Sequence, residues 1–179
     1  MNTTADHPWH VWQSAAADEA VDAALRNLYH DLDQQVAAGE AVCQSSGRCC
    51  SFDQFGHRLY VTGLEVAWFL RRTANGGNLS DDRHHNASPS VPLPQLAARP
   101  PSTDGCPYQV DNLCSVHTVR PMGCRVFFCQ SGTEPWQQQL YEKYLARLRA
   151  LHEKHELPYA YMEWRHGLHE AALCLGSQG

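Results

Sequence analysis

The chain has 179 residues, eight of them cysteine, and a formal net charge of −5. That length suits one domain burying roughly 70% of its unfolded surface, so a core can form without disulfide staples. The acidic balance argues against a general nucleic-acid binder, and no apolar run approaches the roughly 20 residues of a membrane span. The opening MNTTADHPWHVWQ has neither the basic nor the apolar region of a secretory signal. The expectation is a cytoplasmic protein, where clustered thiols stay reduced and bind metals more often than each other.

Residues 1–13 read as a loose arm that Trp9 and Trp12 dock onto the body. From Ser14 the pattern is helical: Val21, Leu25, Leu28, Leu32 and Val36 form one apolar stripe. Asp18 and Glu19 favour the positive N-terminal end, and Gly39 is the expected stop. A first cysteine cluster follows, Cys43-Gln-Ser-Ser46-Gly-Arg48-Cys49-Cys50, and then an extended link from Phe52 to Val61. Thr62 and Glu65 have capping-box spacing and open a helix over Val66, Ala67, Phe69 and Leu70, with Arg71 and Arg72 at its solvated end. Residues 73–105 lose all periodicity, and their Gly and Pro content marks a long loop insert; His84 and His85 within it read as a solvated pair.

The second cluster is Cys106 to Cys129. Asp111-Asn112 is a turn signal, so Cys106 to Val116 is expected to form a hairpin that brings Cys106 and Cys114 together. Val116 to Val119 reads as a helical turn stopped by Pro121. A helix is predicted to begin near Ser131–Glu134 with Pro135 in its first turn, burying Leu140, Tyr144, Leu148 and Leu151. Tyr159 to Leu175 adds a short extended piece and a final helix. His152/His155 and His166/His169 read as solvated helix faces.

The predicted organisation is an arm at 1–13, one metal-binding domain at 14–175 with its cysteine core at 43–129 and the insert at 73–105, and a flexible tail at 176–179. The fold class is mainly α with short irregular and β-hairpin segments, a small helical domain built around a cysteine-ligated metal site.

The candidate ligands are Cys43, Cys49, Cys50, Cys106, Cys114, Cys124 and Cys129; Cys174 alone lies outside the clusters and reads as a core residue. Structural zinc sites favour C-x2-4-C pairs. Here Cys43 and Cys49 are separated by five residues, Cys106 and Cys114 by seven and Cys124 and Cys129 by four, so no C-x2-C pair occurs, which disfavours a ribbon or finger. Iron–sulfur clusters accept looser spacings from separate segments, so a four-iron cluster leads and a zinc or iron ion is the alternative. Four thiolates around such a centre leave a net charge of about −2. One arginine about 5 Å away offsets this by roughly 3 kcal/mol per unit charge at an effective dielectric near 20. Arg48, Arg120 and Arg125 lie close enough in sequence to serve.

These residues resemble the CxxCxxCC, or YkgJ-like, family of zinc- or iron-chelating cysteine-cluster proteins. The resemblance lies in four blocks in order: the 43–50 cluster, Thr62 to Glu65, Cys106-Pro107-Tyr108 with Cys114-Ser115-Val116-His117, and Arg120-Pro121-Met122-Gly123-Cys124-Arg125. It implies metal chelation by the clustered cysteines. One position departs from it: the second motif cysteine is Ser46, so either that position is dispensable or Cys129 replaces it. Flagellin lysine N-methylases carry a similar domain, although no nucleotide-type loop occurs in this chain.

The function expected from this pattern is that of a metal-binding protein, a redox or cluster-dependent accessory. The alternatives are a structural zinc adaptor and an enzyme of the N-methylase type, the latter with a pocket lined by Tyr108, His117 or Glu65. A protein partner is left open; neither a membrane nor nucleic acid is expected.

Overall fold

The computed structural model describes residues 8–39, 46–74, 105–111 and 113–176. Cys43, the His84-His85 pair and nearly all of the 73–105 insert lie outside the described residues. The described chain is mainly helical, with two small antiparallel sheets.

The expected loose arm is helix from its described start. Trp9–Ala17 forms α1, and Trp9 and Trp12 are core residues packed edge to face at 5.0 Å. The chain breaks at Asp18, whose carboxylate accepts from the backbone N–H groups of Ala20 and Val21 at 2.9 and 3.0 Å. This N-cap starts a second helix, α2 (Glu19–Ala38), which buries Val21, Leu25, Leu28 and Leu32 and stops at Gly39. Where a link was expected after the cysteines, Phe52–Phe55 forms a single turn, α3, and Tyr60–Thr62 forms β1.

The Thr62–Glu65 box opens α4 (Gly63–Ala74) as predicted: Glu65 N–H donates to Thr62 Oγ1 at 3.2 Å and Thr62 N–H donates to Glu65 Oε2 at 2.8 Å. This helix is buried nearly all round, so it is central rather than amphipathic. Its basic end is not simply solvated. Arg72 pairs with the Asp22 carboxylate of α2 and lies over Trp68, and Arg71 donates to the Ala16 carbonyl at 3.1 Å. Trp12 sits on Gly63, where an added Cβ would stand 2.3 Å from the indole.

The hairpin has the expected place. Gln109–Val110 (β2) pairs with Leu113–Cys114 (β3), in the register Gln109 with Cys114 and Val110 with Leu113. Asp111 at its turn adopts φ 49°, a conformation that aspartate tolerates better than most residues. A 3-10 turn at His117–Val119 ends before Pro121, and Met122–Val126 forms α5. The helix α6 (Glu134–Lys154) buries its predicted stripe, but its N-cap is Thr133 without a side-chain cap bond. Glu134 instead accepts from Gly132 N–H at 2.8 Å. Tyr161–Glu163 (β4) pairs antiparallel with β1, and Trp164–Gly176 forms α7.

His152 departs from expectation. It is 1% exposed and bonds the Pro158 carbonyl through Nδ1 at 3.1 Å, and burial holds its pKa below the usual imidazole range. His166 and His169 are exposed, as expected. No described helix is long and apolar enough to cross a membrane.

Candidate metal centre

Three segments bring the clustered thiols together. The first is the turn after Ser46. Gly47 adopts φ 71°, a left-handed conformation that glycine takes without steric cost, and directs the chain into a 3-10 turn over Arg48–Cys50. Cys50 N–H closes this turn on the Gly47 carbonyl at 3.1 Å. Gln109 Nε2 donates to the same carbonyl at 2.9 Å and so ties the turn to the hairpin.

The second segment is Gly105–Cys106 with the hairpin. Cys106 N–H donates to the Cys50 carbonyl at 2.7 Å. A Cβ on Gly105 would lie 2.7 Å from that same oxygen, so the crossing requires glycine. Cys114 enters from β3, opposite Gln109, and Ser115 donates through its N–H and hydroxyl to the Tyr108 carbonyl at 3.0 and 2.9 Å.

The third segment is α5 with Cys124. Glu65 is its anchor: beyond capping α4, its Oε1 accepts from Met122 N–H at 2.9 Å and from the Tyr29 hydroxyl at 3.1 Å. Burial pushes the Glu65 carboxyl up although these donors favour its charged form. Arg125, also buried, binds the Arg120 and Thr118 carbonyls at 2.9 and 2.8 Å, pairs with Asp33 and lies 4.5 Å over the Tyr29 ring.

The Cys50 thiol interacts with those of Cys106, Cys114 and Cys49, which together drive its pKa far up. The same contact with Cys50 pulls Cys49 down to about 6, against its burial and with help from the charge of Arg120. Cys114 is pulled down to about 7, again first by Cys50. Cys124 is pushed well up by burial and by Cys106 and Cys114. Five thiols thus form one electrostatic group, and no described cysteine is in a disulfide.

The three arginines separate. Arg120 acts on Cys49, Cys114 and Cys124, and its Nε is buried with no hydrogen-bond partner. His117, exposed, bonds its Nη1. Arg48 is exposed and lies 4.4 Å over the Phe55 ring, while Arg125 holds backbone. Cys129 is half-buried, and Ser46 Oγ donates to its sulfur at 3.4 Å, so the serine of the departing motif position faces Cys129. Cys174 lies on α7, partly buried against the core. Tyr108 and Glu65 are core residues rather than pocket walls; Tyr108 packs edge to face on Phe69 at 4.8 Å.

Among the described residues, no group of three or more His, Cys, Asp or Glu is arranged so as to hold a metal ion. The thiols are gathered but not set in a coordination shell. The donor chemistry nevertheless fits a thiophilic centre: five clustered sulfurs stand beside a guanidinium with an unpaired buried N–H, which suits added negative charge. The second role of Glu65 and the crossing at Gly105 escape sequence reasoning. A glycine directly before Cys106 is the one available signal.

No family model matches the chain, and neither a curated protein nor a solved structure matches it.

Proposed function

We propose that the chain is a metal-binding protein whose thiols of Cys49, Cys50, Cys106, Cys114 and Cys124 hold an iron–sulfur cluster, or alternatively a zinc or iron ion. The observation that carries this reading is the gathering of thiols from three separate chain segments: Cys50, whose carbonyl accepts from Cys106 N–H, meets Cys106 and Cys114, and these two in turn act on Cys124. Metal binding replaces thiol protons by one cation and removes the conflict that now holds Cys50 and Cys124 protonated beside ionisable neighbours. Arg120 would offset the residual negative charge. Cys43 and Cys129 remain candidate further ligands, with Cys129 brought to the Ser46 position. The likeness to cysteine-cluster chelators in four ordered blocks supports the same reading.

The test is metal and acid-labile sulfide analysis with a visible spectrum, on protein purified without oxygen. Iron with matching sulfide and a brown colour supports the cluster. One zinc and no colour supports the ion. Protein without metal after reconstitution with iron, sulfide or zinc sinks the proposal.

A further inference from the structure

Beside Cys49 and Cys124 lies a cavity of about 310 Å³, within the size range of small-molecule sites. Its walls are largely rings. Tyr60, Phe127 and Tyr141 line it, His57 stacks on Phe127 with centroids 4.9 Å apart and planes at 15°, and Tyr60 stacks on Tyr161 at 5.7 Å and 25°. Polar groups of the wall have partners within the protein. Gln137 bonds both N–H and carbonyl of Phe128 at 3.0 Å, Gln138 bonds Glu142 at 2.7 Å, and the Tyr141 hydroxyl pairs with that of Tyr161.

Charge on the wall is of both signs, and each charge is engaged. Arg58 acts on the Asp53 carboxylate, which Arg165 also pairs, and Glu134 accepts from Gly132 N–H at 2.8 Å. An anion here would meet Glu134 and the thiol group. A cation, which ring faces attract, would meet the Arg58 guanidinium. Either would shed water without gaining a free partner of opposite sign. Ring-lined walls without an uncommitted charge suit a flat, uncharged guest held by burial and ring contacts. We propose that this cavity binds a small neutral aromatic compound, its ring among Tyr60, Phe127 and Tyr141, next to Cys49 and Cys124. The site itself does not depend on what the thiols hold; its place at a metal centre rests on reading them as ligands. A purely structural metal site needs no such approach, whereas one that serves a reaction or senses a ligand does.

The experiment titrates 1-naphthalenemethanol into the full chain, prepared without oxygen, follows binding by ligand-observed NMR, and measures bound metal on the same sample. Saturable binding is expected. The same ring system carrying a charge, as 1-naphthoate or as 1-naphthylmethylammonium, should bind at least about fivefold more weakly. Tyr60→Ala should weaken binding of the alcohol about two- to tenfold, the range of one aromatic contact. Leu173→Ser, at an exposed position of α7 that does not line the cavity, should leave binding unchanged; circular dichroism checks that both variants fold. Absence of saturable binding, equal affinity for either charged analogue, or wild-type affinity in Tyr60→Ala overturns the proposal. A loss in Leu173→Ser as large as that in Tyr60→Ala means binding to exposed apolar surface and overturns it too. Metal-loaded protein that ignores the alcohol removes the ligand site and leaves the centre standing. Binding of the alcohol to a chain that takes up no metal keeps the site and removes the centre.

Discussion

Glu65 serves two segments with one carboxylate. It caps α4 and, through Oε1, holds the first N–H of the helix that carries Cys124. Glu65→Ala leaves the N–H groups of Thr62 and Met122 and the Tyr29 hydroxyl buried without an acceptor, a loss of about 3 kcal/mol, which a urea denaturation midpoint reads. The first role is legible in the sequence, because Thr and Glu three apart before an apolar run mark a helix start. The second is not, since Met122 lies 57 positions away and local spacing carries no trace of it. At the same scale, Cys124→Ala should lower bound metal while Cys174→Ala leaves it unchanged. Equal metal content in the two variants, by elemental analysis, would remove Cys124 from the ligand set. The arginines teach a similar lesson. Three stand near cysteines in sequence, and only burial and direction separate Arg120, which acts on the thiols, from Arg125, which carries backbone, and Arg48, which stacks on a ring.

Between elements, Asp22 clamps α2 to α4. Trp68 Nε1 donates to it at 2.8 Å, Arg72 pairs with it, and Arg26 approaches within 3.0 Å. Burial raises its carboxyl, but the bonds from Arg72 and Trp68 and the charges of Arg72 and Arg26 outweigh burial and leave it below its ordinary 3.8. A carboxylate depressed in the folded state contributes stability that is present above the unfolded pKa and lost as pH falls through the folded value. Wild type should therefore be more stable than Asp22→Asn near pH 6, and the gap should close below about pH 4; urea midpoints across that range check it. Two glycines set close approaches. Gly63→Ala drives a methyl into Trp12 and should cost about 1–3 kcal/mol by overpacking. Gly105→Ala collides with the Cys50 carbonyl instead, so it should raise alkylation of the clustered cysteines by iodoacetamide more than it lowers the melting temperature. The α2 and α6 stripes are visible in sequence because each buries one face at helical spacing. The helix α1 is hidden because two tryptophans, not a stripe, hold it, and the all-round burial of α4 masks the roles of Arg71 and Arg72.

Across the whole molecule, the thiols hang from turns and short elements, whereas the core is a continuous body of helices rich in tryptophan and tyrosine. If the thiols hold a metal, a chelator should loosen residues 46–51 and 105–125 first, seen as faster amide exchange there, while α2, α4 and α6 keep their protection. Uniform exchange in both states would mean that the centre, if present, does not organise these turns. The existence of a helical body and a cysteine hairpin is thus readable from periodicity and turn residues. Which thiols meet is not, because it depends on a chain crossing at Gly105 and on an anchor in α4.

The pairing of β1 with β4 joins Tyr60 to Glu163, and Trp12 Nε1 donates to the Pro158 carbonyl at 2.7 Å across 146 positions. The second contact cannot form on the ribosome until residue 158 has emerged, nor the first until residue 163, after Cys49, Cys50, Cys106, Cys114 and Cys124 have been translated. During that interval the thiols have no completed body to shelter them. Oxidants met during synthesis should therefore be one source of mispaired cysteine. Slower translation of the segment between 130 and 163 should increase that damage.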